Sequence, residues 1–186
     1  MYSNSLLNIF LSPLQKSIHK DFFRETMRDA IYIPSPINKD VYFPDLSIQQ
    51  PDAHLYLGTI MDHKGISQIL DYAKGEKGKV FHFAGRPVSK ELMRRIKEKH
   101  LYLGNIYHKE VPKLLRKYKY FMINPQWPEP FGRTIIEAMC SGCTLIKFEK
   151  SETTGLESYN LSPQEITDKC LGAPVEFWNK IKEALK

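Results

Sequence analysis

Two acidic residues flank a loop that opens a predicted helix in the C-terminal half of the chain. Glu129 and Glu137 bracket the segment PFGRTII, so seven residues separate them. The loop runs from Pro125, and the periodicity predicts a helix over 132–142. Free N–H groups and the positive dipole end of a helix start form a natural site for a phosphate. Those N–H groups belong to Phe131, Gly132, Arg133 and Thr134.

The two acids suit hydroxyl groups better than phosphates. Glu137 lies five residues into the helix, where its carboxylate is placed to accept hydrogen bonds from a ribose diol. Glu129 lies on the loop, where it is placed to accept from sugar hydroxyls. Alternative interpretations remain open at this point. Glu129 can be a solvated loop acid, Glu137 a surface helix residue and Gly132 a plain turn residue.

Two further strand ends carry residues of interest. In YLGTIMDHKG (56–65) a strand ends at Gly58 and Lys64 opens the next helix, where its ammonium could pair with a phosphate or remain solvated. The segment YLGNIYH (102–108) is a similar edge, or simply a turn. Of the nearby histidines, His82 alternates within a strand and is expected in the core. His63 and His108 lie on edge loops, and a direct role for them is the less favoured interpretation.

The elements that must position these residues alternate regularly from residue 53. Apolar runs predict strands at 53–59, 79–85, 101–104, 120–124 and 143–148. Helical periodicity predicts helices at 64–75, 89–100, 108–118, 132–142, 162–170 and 174–185. This alternation indicates a Rossmann-like three-layer α/β/α domain with a mainly parallel sheet. Ligands of such folds bind at the carboxyl ends of the strands, where Gly58, Gly85, Gly104 and the 125–132 loop are expected.

The N-terminal segment, residues 1–44, lacks this regular alternation of strands and helices. It predicts a strand at 6–12, a helix at 13–28 and a short strand at 30–34, followed by a proline-rich stretch without periodicity. We therefore divide the chain into residues 1–44, a remnant of a preceding domain with an interdomain linker, and residues 45–186, the Rossmann-like domain.

Composition narrows the compartment and the partners. The 186 residues carry a formal net charge of +6, which favours anionic partners without choosing among phosphates, lipid headgroups and nucleic acid. Three cysteines, an odd and low number, fit a reducing compartment. The pair Cys140 and Cys143 lacks further ligands for zinc and suggests small core residues. The N-terminal apolar run is too short to span a membrane, so we expect a cytoplasmic protein, with contact to a membrane surface left open.

Taken together, these segments resemble the C-terminal, donor-binding domain of family 4 retaining glycosyltransferases, which have the GT-B fold. That family carries two Glu residues with seven between them, a Gly-Arg-x4-Lys-Gly segment, a Gly-ended strand and a Leu-Gly edge. This chain shows GTIMDHKG (58–65), FAG (83–85) and YLG (102–104) in that order before Glu129 and Glu137. The resemblance covers roughly residues 30–150.

The resemblance implies roles for individual residues. Lys64 would neutralise the donor diphosphate and Glu129 would hold the transferred sugar, and these two are the expected catalytic residues. Glu137 would hold the ribose, the 131–134 backbone would cradle sugar and phosphate oxygens, and Ile106 would lie against the base. The expected donor site is completed by Gly58, Thr59, Gly85, Phe131, Gly132, Arg133 and Thr134.

One position departs from the family pattern. The arginine that normally follows the glycine and shares the diphosphate charge is Thr59 here. Arg133 is a candidate replacement from the helix start. The departure makes donor binding a firmer expectation than catalysis.

The implied reaction is transfer of a hexosyl group from a nucleotide diphosphate sugar, with retention and without a metal ion or other cofactor. The acceptor, whether glycan, lipid or protein, is not specified, and nucleic acid is not expected as a partner. Two GT-B domains would need roughly twice this length, so the enzyme is expected to need an N-terminal half that lies on a partner chain or was truncated away. The alternatives are a non-catalytic nucleotide-sugar-binding subunit and a related GT-B nucleotide-sugar epimerase.

Overall fold

The computed structural model describes residues 5–23, 30–48 and 52–186. The strands are β1 (Asn8–Phe10), β2 (Ala30–Tyr32), β3 (Ala53–Leu57), β4 (Val80–Ala84), β5 (Leu101–Tyr102), β6 (Tyr120–Ile123) and β7 (Thr144–Lys147). The α-helices are α1 (Pro13–Phe23), α2 (Ile66–Gly75), α3 (Lys90–Lys99), α4 (Val111–Leu115), α5 (Arg133–Cys140) and α6 (Pro163–Ala184). Each predicted strand is present in shortened form, and residues 24–28 of the first predicted helix lie outside the described residues.

Strands β3 to β7 form one parallel sheet in the order β5-β4-β3-β6-β7. Within this sheet the chain passes first through the central strand β3 and then outward through β4 and β5. It then crosses to β6 and β7 on the other side of β3. The predicted Rossmann-like fold with a mainly parallel sheet is therefore confirmed. In such a sheet the crevice lies where the strand order reverses, between the carboxyl ends of β3 and β6.

The core of this sheet follows from the apolar strand runs. Four of the five residues of β3 are buried, as expected for a central strand covered on both faces. Residues of α2 and α3 with helical spacing pack with β3, β4 and β6 in one hydrophobic cluster. Its fully buried members are Ile60, Ile66, Ile69, Phe83 and Ile96.

Two compact units can be distinguished by their contacts. The first comprises residues 1–38, 128–133 and 153–186, and the second comprises residues 39–127 and 134–152. The first unit contains the parallel pair β1–β2 together with α1 and α6, whereas the second contains the five-stranded sheet. The boundary placed at residue 44 concerns the two domains of a larger enzyme, and it stays a prediction.

The C-terminal segment is one helix rather than the two that were predicted, and this prediction was wrong. The predicted helices were 162–170 and 174–185, and Pro174 falls at the join, where proline removes a backbone donor and disfavours a helix interior. In the structure α6 is a single helix of 22 residues that includes Pro174. The carbonyl of Cys170, four residues earlier, accepts a hydrogen bond from the Ile37 N–H at 3.4 Å. Because an outside donor satisfies this carbonyl, the missing proline N–H is partly compensated.

A buried histidine in the central strand makes the fold sensitive to pH. His54 is 5% exposed, and its ring stacks between Phe81 and Tyr120 at centroid distances of 5.0 and 4.7 Å. Burial, followed by the positive charge of Lys79, lowers the pKa of His54 below its ordinary value. Burial likewise lowers the pKa of His82 and of His100.

We predict that the free energy of unfolding falls as the pH is lowered from 7.5 to 5. The unfolded chain takes up protons on these histidines near their ordinary pKa of about 6.5, while the folded chain resists protonation until a lower pH. The measurement is urea unfolding at several pH values. His54→Phe should reduce the pH dependence, whereas His108→Phe, at an exposed position, should leave it unchanged. An identical pH dependence in His54→Phe would contradict this assignment.

Candidate functional site

Hydrogen bonds join the loops that leave β3 and β6, at the point where the strand order reverses. The Gln126 N–H donates to the His63 carbonyl at 2.9 Å. The side-chain amide of Asn124, which is 2% exposed, donates through Nδ2 to the Gly65 carbonyl at 3.0 Å. These two bonds bracket Lys64 and therefore fix its backbone at the carboxyl edge of the sheet.

Gly65 is required by this connection. Its φ of 71° lies in the left-handed region, and it ends the short 3-10 turn Asp62–Lys64 before α2 begins. A Cβ atom at this position would lie 1.9 Å from the Asn124 carbonyl oxygen. The two loops can approach this closely only because residue 65 has no side chain.

The Lys64 side chain lies beside an aromatic ring. Its Nζ is 5.7 Å from the ring centroid of Trp127, and the His63 ring meets the same indole edge-on at 5.7 Å. Trp127 is 41% exposed, so this cluster is open to solvent. A cation–π contact at an exposed site contributes only about 0.5–1 kcal/mol. The contact with Trp127 by itself therefore holds the ammonium only weakly.

The predicted glycine-ended strands lie side by side at the same edge. The Gly85 N–H donates to the Gly104 carbonyl at 2.8 Å, and the Gly58 N–H donates to the Ala84 carbonyl at 3.0 Å. A Cβ atom on Gly85 would lie 1.9 Å from the Gly58 carbonyl oxygen. The structure thus brings Gly58, Gly85 and Gly104 together at this edge, as expected.

The remaining residues singled out near this edge of the sheet are half-buried or exposed, and two of them make hydrogen bonds within the protein. Thr59 is half-buried, and its carbonyl accepts a hydrogen bond from the Tyr56 hydroxyl at 3.0 Å. Ile106 is half-buried in the loop that follows β5. His82 is partly buried and its Nδ1 lies 2.7 Å from the Tyr118 hydroxyl, which confirms its structural role. His108 is exposed at the start of a short 3-10 helix.

The loop that carries Glu129 is built like an added strand. Glu129 bridges Thr154 in parallel, and its carbonyl accepts the Gly155 N–H at 2.7 Å. Two residues later, the Phe131 carbonyl accepts the Leu156 N–H at 2.9 Å. The Glu129 backbone is therefore held by residues 154–156, and its side chain is half-buried. All of these residues belong to the first compact unit.

The helix after this loop begins at Arg133, one residue later than predicted. Gly132 is buried and has a φ of 93°, a conformation incompatible with the right-handed helix. Phe131 is also buried, whereas Arg133 is exposed and Thr134 is half-buried. Glu137 is 4% exposed, so its interpretation as a surface residue was wrong. A buried carboxylate has to be hydrogen-bonded, and Glu137 does have an interaction within the protein.

The predicted site residues are divided between the two units. Glu129, Phe131, Gly132 and Arg133 belong to the first unit. The second unit contains Gly58, Thr59, Lys64, Gly85, Ile106, Thr134 and Glu137. Within the second unit, Gly58, Thr59, Lys64 and Gly85 lie in the loops beyond the carboxyl ends of β3 and β4, in line with the sequence prediction.

Several structural residues of the site were missed by the sequence analysis. Asn124 and Gln126 anchor the Lys64 loop, and residues 154–156 hold the Glu129 loop. The polar Asn124 directly after the apolar strand β6 was the available signal. The pairing of residues 154–156 with the Glu129 loop left no comparable pattern, because it is made through backbone atoms.

Neither a candidate metal-binding cluster nor a membrane-spanning helix is present among the residues that the structure describes. In residues 5–23, 30–48 and 52–186, His, Cys, Asp and Glu side chains do not gather in groups of three or more that could hold a metal ion. None of the helices in this part of the chain combines the length and hydrophobicity needed to cross a membrane.

Comparison with known proteins supplies a family for this geometry. Residues 38–153, more than half of the chain, match the family described as Glycosyl transferases group 1. No curated protein sequence matches the chain.

Three solved structures illustrate the likeness in fold. They are a TarM mutant from S. aureus in complex with Fondaparinux, alpha-GlcNAc-glycerol and UDP (TM-score 0.69, 16% identity), HepE from Anabaena in complex with UDP and glucose (0.68, 15%), and sucrose-phosphate synthase from Thermosynechococcus elongatus (0.67, 16%). The matches cover 92%, 99% and 96% of this chain but only 37%, 64% and 50% of those proteins. The chain therefore spans about one third to two thirds of their length.

We predict that Gly65→Ala destabilises the fold far more than Gly78→Ala. Both glycines have positive φ, but a Cβ at Gly78 meets nothing within 4 Å. Gly78→Ala should cost only the left-handed strain of about 1–2 kcal/mol. Gly65→Ala should cost at least about 2 kcal/mol more, because the Asn124 carbonyl has to move. Urea unfolding measures both, and equal losses would contradict the described loop contact.

Proposed function

Since this chain belongs to the group 1 glycosyl transferases, we propose that it binds a nucleotide diphosphate sugar at the carboxyl edge of its five-stranded sheet. The observation that carries the proposal is the placement of Lys64. Two hydrogen bonds, to His63 and Gly65, fix its backbone beside the point where the strand order reverses. Binding there would serve transfer of the sugar to an acceptor.

In this proposal Lys64 supplies positive charge to the donor diphosphate. An ammonium group on a flexible stem acts as a point charge that can follow phosphate oxygens. As the bond to the sugar breaks, negative charge grows on the leaving diphosphate, and a fixed cation stabilises that charge. The exposed Trp127 face, on which the ammonium rests in the ligand-free chain, provides a weak alternative contact.

The glycine-lined edge supports the same assignment. A ligand pyrophosphate needs close approach to backbone N–H groups, and side chains would prevent it. Gly58 and Gly85 place no Cβ atom at the ends of the neighbouring strands β3 and β4, and the absence of a Cβ on Gly85 lets the two segments pack closely, since that atom would lie 1.9 Å from the Gly58 carbonyl oxygen. The half-buried Ile106, on the next loop along the edge, is proposed to contact the base.

The remaining roles follow from the resemblance to the family. Glu129 is proposed to hold the transferred sugar, and Glu137 is proposed to hold the ribose. The rigid backbone pairing of the Glu129 loop and the burial of Glu137 support positioning roles for both acids. The N–H groups of residues 131–134 are proposed to bind sugar and phosphate oxygens.

The finer description of the reaction is also proposed from the resemblance. It comprises a hexosyl donor, retention of anomeric configuration, and stabilisation of the diphosphate by basic side chains and N–H groups rather than by a metal ion. UDP is a suitable first probe, because TarM and HepE were solved with UDP. We further propose a cytoplasmic location and an acceptor that is a glycan, lipid or protein, with peripheral membrane contact as a variant.

Two alternatives predict different results in the same assays. A non-catalytic subunit would bind the donor but neither hydrolyse it nor transfer the sugar. An epimerase would convert the donor into its epimer without consuming an acceptor. Incubation with a panel of nucleotide diphosphate sugars, followed by separation of the products, distinguishes these outcomes from transfer.

We predict that the chain binds at least one of UDP, ADP, GDP and CDP, and that Lys64→Gln raises the dissociation constant about tenfold. The loss of one charge-assisted contact accounts for a change of this size. Isothermal titration calorimetry measures the binding. The control Lys97→Gln removes an equal charge near the C-terminal end of α3, which lies at the opposite edge of the sheet. Failure of the folded wild-type chain to bind any of the four at millimolar concentration would refute the proposal.

A further inference from the structure

The segments that leave β3 and β4 keep the register of the two strands beyond the last ladder pair. An isolated parallel bridge joins Ile60 to Pro87, with the same offset as every pair in the β3–β4 ladder. Two positions lie between the last ladder pair, Leu57 with Ala84, and this bridge, and the second of them aligns Thr59 with Arg86. Neighbouring strands lie about 4.8 Å apart, and in-register residues of parallel strands project to the same face.

The backbone at Arg86 is fixed from both sides. Its carbonyl accepts the Ile60 N–H at 2.9 Å, and the Ile60 carbonyl in turn accepts the Val88 N–H at 3.1 Å. The following Pro87 disfavours helical backbone at residue 86 and keeps it extended. Arg86 therefore leaves the sheet at a defined place, directly after Gly85, with an exposed side chain.

The guanidinium of Arg86 differs from its neighbours in the same unit. Arg94 is paired with Glu91 and Glu98 on α3, and Arg95 is paired with Asp71 at 2.7 Å. Arg86, by contrast, makes no hydrogen bond or ion pair with another described residue through its side chain. Its donors are available to a ligand at the carboxyl edge.

We propose that Arg86 is a second cation of the donor site and binds the diphosphate together with Lys64. This inference rests on the proposed function and adds a residue that the motif comparison did not assign. A guanidinium presents paired N–H donors that match two phosphate oxygens, which complements the point charge of a lysine. Arg86 thereby supplies, from the segment that follows the neighbouring strand β4, the positive charge that is missing at Thr59.

The same register explains why Arg86 is a better replacement than Arg133. Arg133 is grouped with the first compact unit and has no strand pairing with Thr59. Arg86 is the cross-strand partner of the very position at which the charge is missing. A guanidinium at either of the two positions starts from adjacent points of one face, so the two placements should be interchangeable.

The test uses the full 186-residue chain and four proteins: wild type, Arg86→Ala, the control Lys97→Ala, and the double variant Thr59→Arg with Arg86→Ala. Calorimetry measures the dissociation constant of UDP, or of whichever of ADP, GDP and CDP binds the wild type. We expect Arg86→Ala to bind about tenfold more weakly and Lys97→Ala to bind like the wild type. The double variant should recover binding to within about threefold of the wild type.

The outcomes separate this inference from the proposed function. Wild-type binding that Arg86→Ala leaves unchanged would overturn the inference and leave the proposed function standing. Weakened binding that Thr59→Arg does not restore would show that the two positions do not share a role, which also overturns the inference. Binding of none of the four nucleotides by the folded wild type would overturn both. Thermal unfolding of each variant checks that the fold is kept.

Discussion

The contact between the β3 loop and the β6 loop is the constraint on which the site depends. A parallel sheet whose strand order reverses leaves a crevice between two diverging connections. Here Asn124 and Gln126 close the base of that crevice by hydrogen bonds to the Gly65 and His63 carbonyls. The missing side chain of Gly65 permits the approach. Lys64 is consequently presented at the edge by the geometry of its backbone.

The same edge is formed largely by paired backbone groups. Glycines end β3 and β4, and their backbone groups are paired with neighbouring strands. Positive charge at this edge comes from Lys64 on the loop after β3 and from Arg86 on the loop after β4. In the proposed function, a site of this construction would recognise the diphosphate common to many donors. Selection of the sugar has to come from other residues, among which Glu129 is the proposed contact.

The sequence was sufficient for the fold and for the edge of the sheet, because period-two and period-3.6 patterns and strand-ending glycines are local signals. It was insufficient where distant segments meet. The continuation of α6 through Pro174 was not predicted, because the compensating donor, the Ile37 N–H, is distant in sequence. The burial of Glu137 and the pairing of the Glu129 loop with residues 154–156 are likewise tertiary features. Arg86 was overlooked because only the strand register places it beside Thr59 on the neighbouring segment.

The central claim, that the carboxyl edge at the strand-order reversal binds the donor, is tested most directly by titrating ¹⁵N-labelled protein with UDP or another bound nucleoside diphosphate. Glycine amides are sparse in this chain and lie at both edges of the sheet. We predict saturable chemical-shift changes for the amides of Gly58, Gly65 and Gly85. The amides of Gly75 and Gly78, at the opposite edge, should change little. Shifts confined to Gly75 and Gly78, with the three edge glycines unchanged, would contradict it.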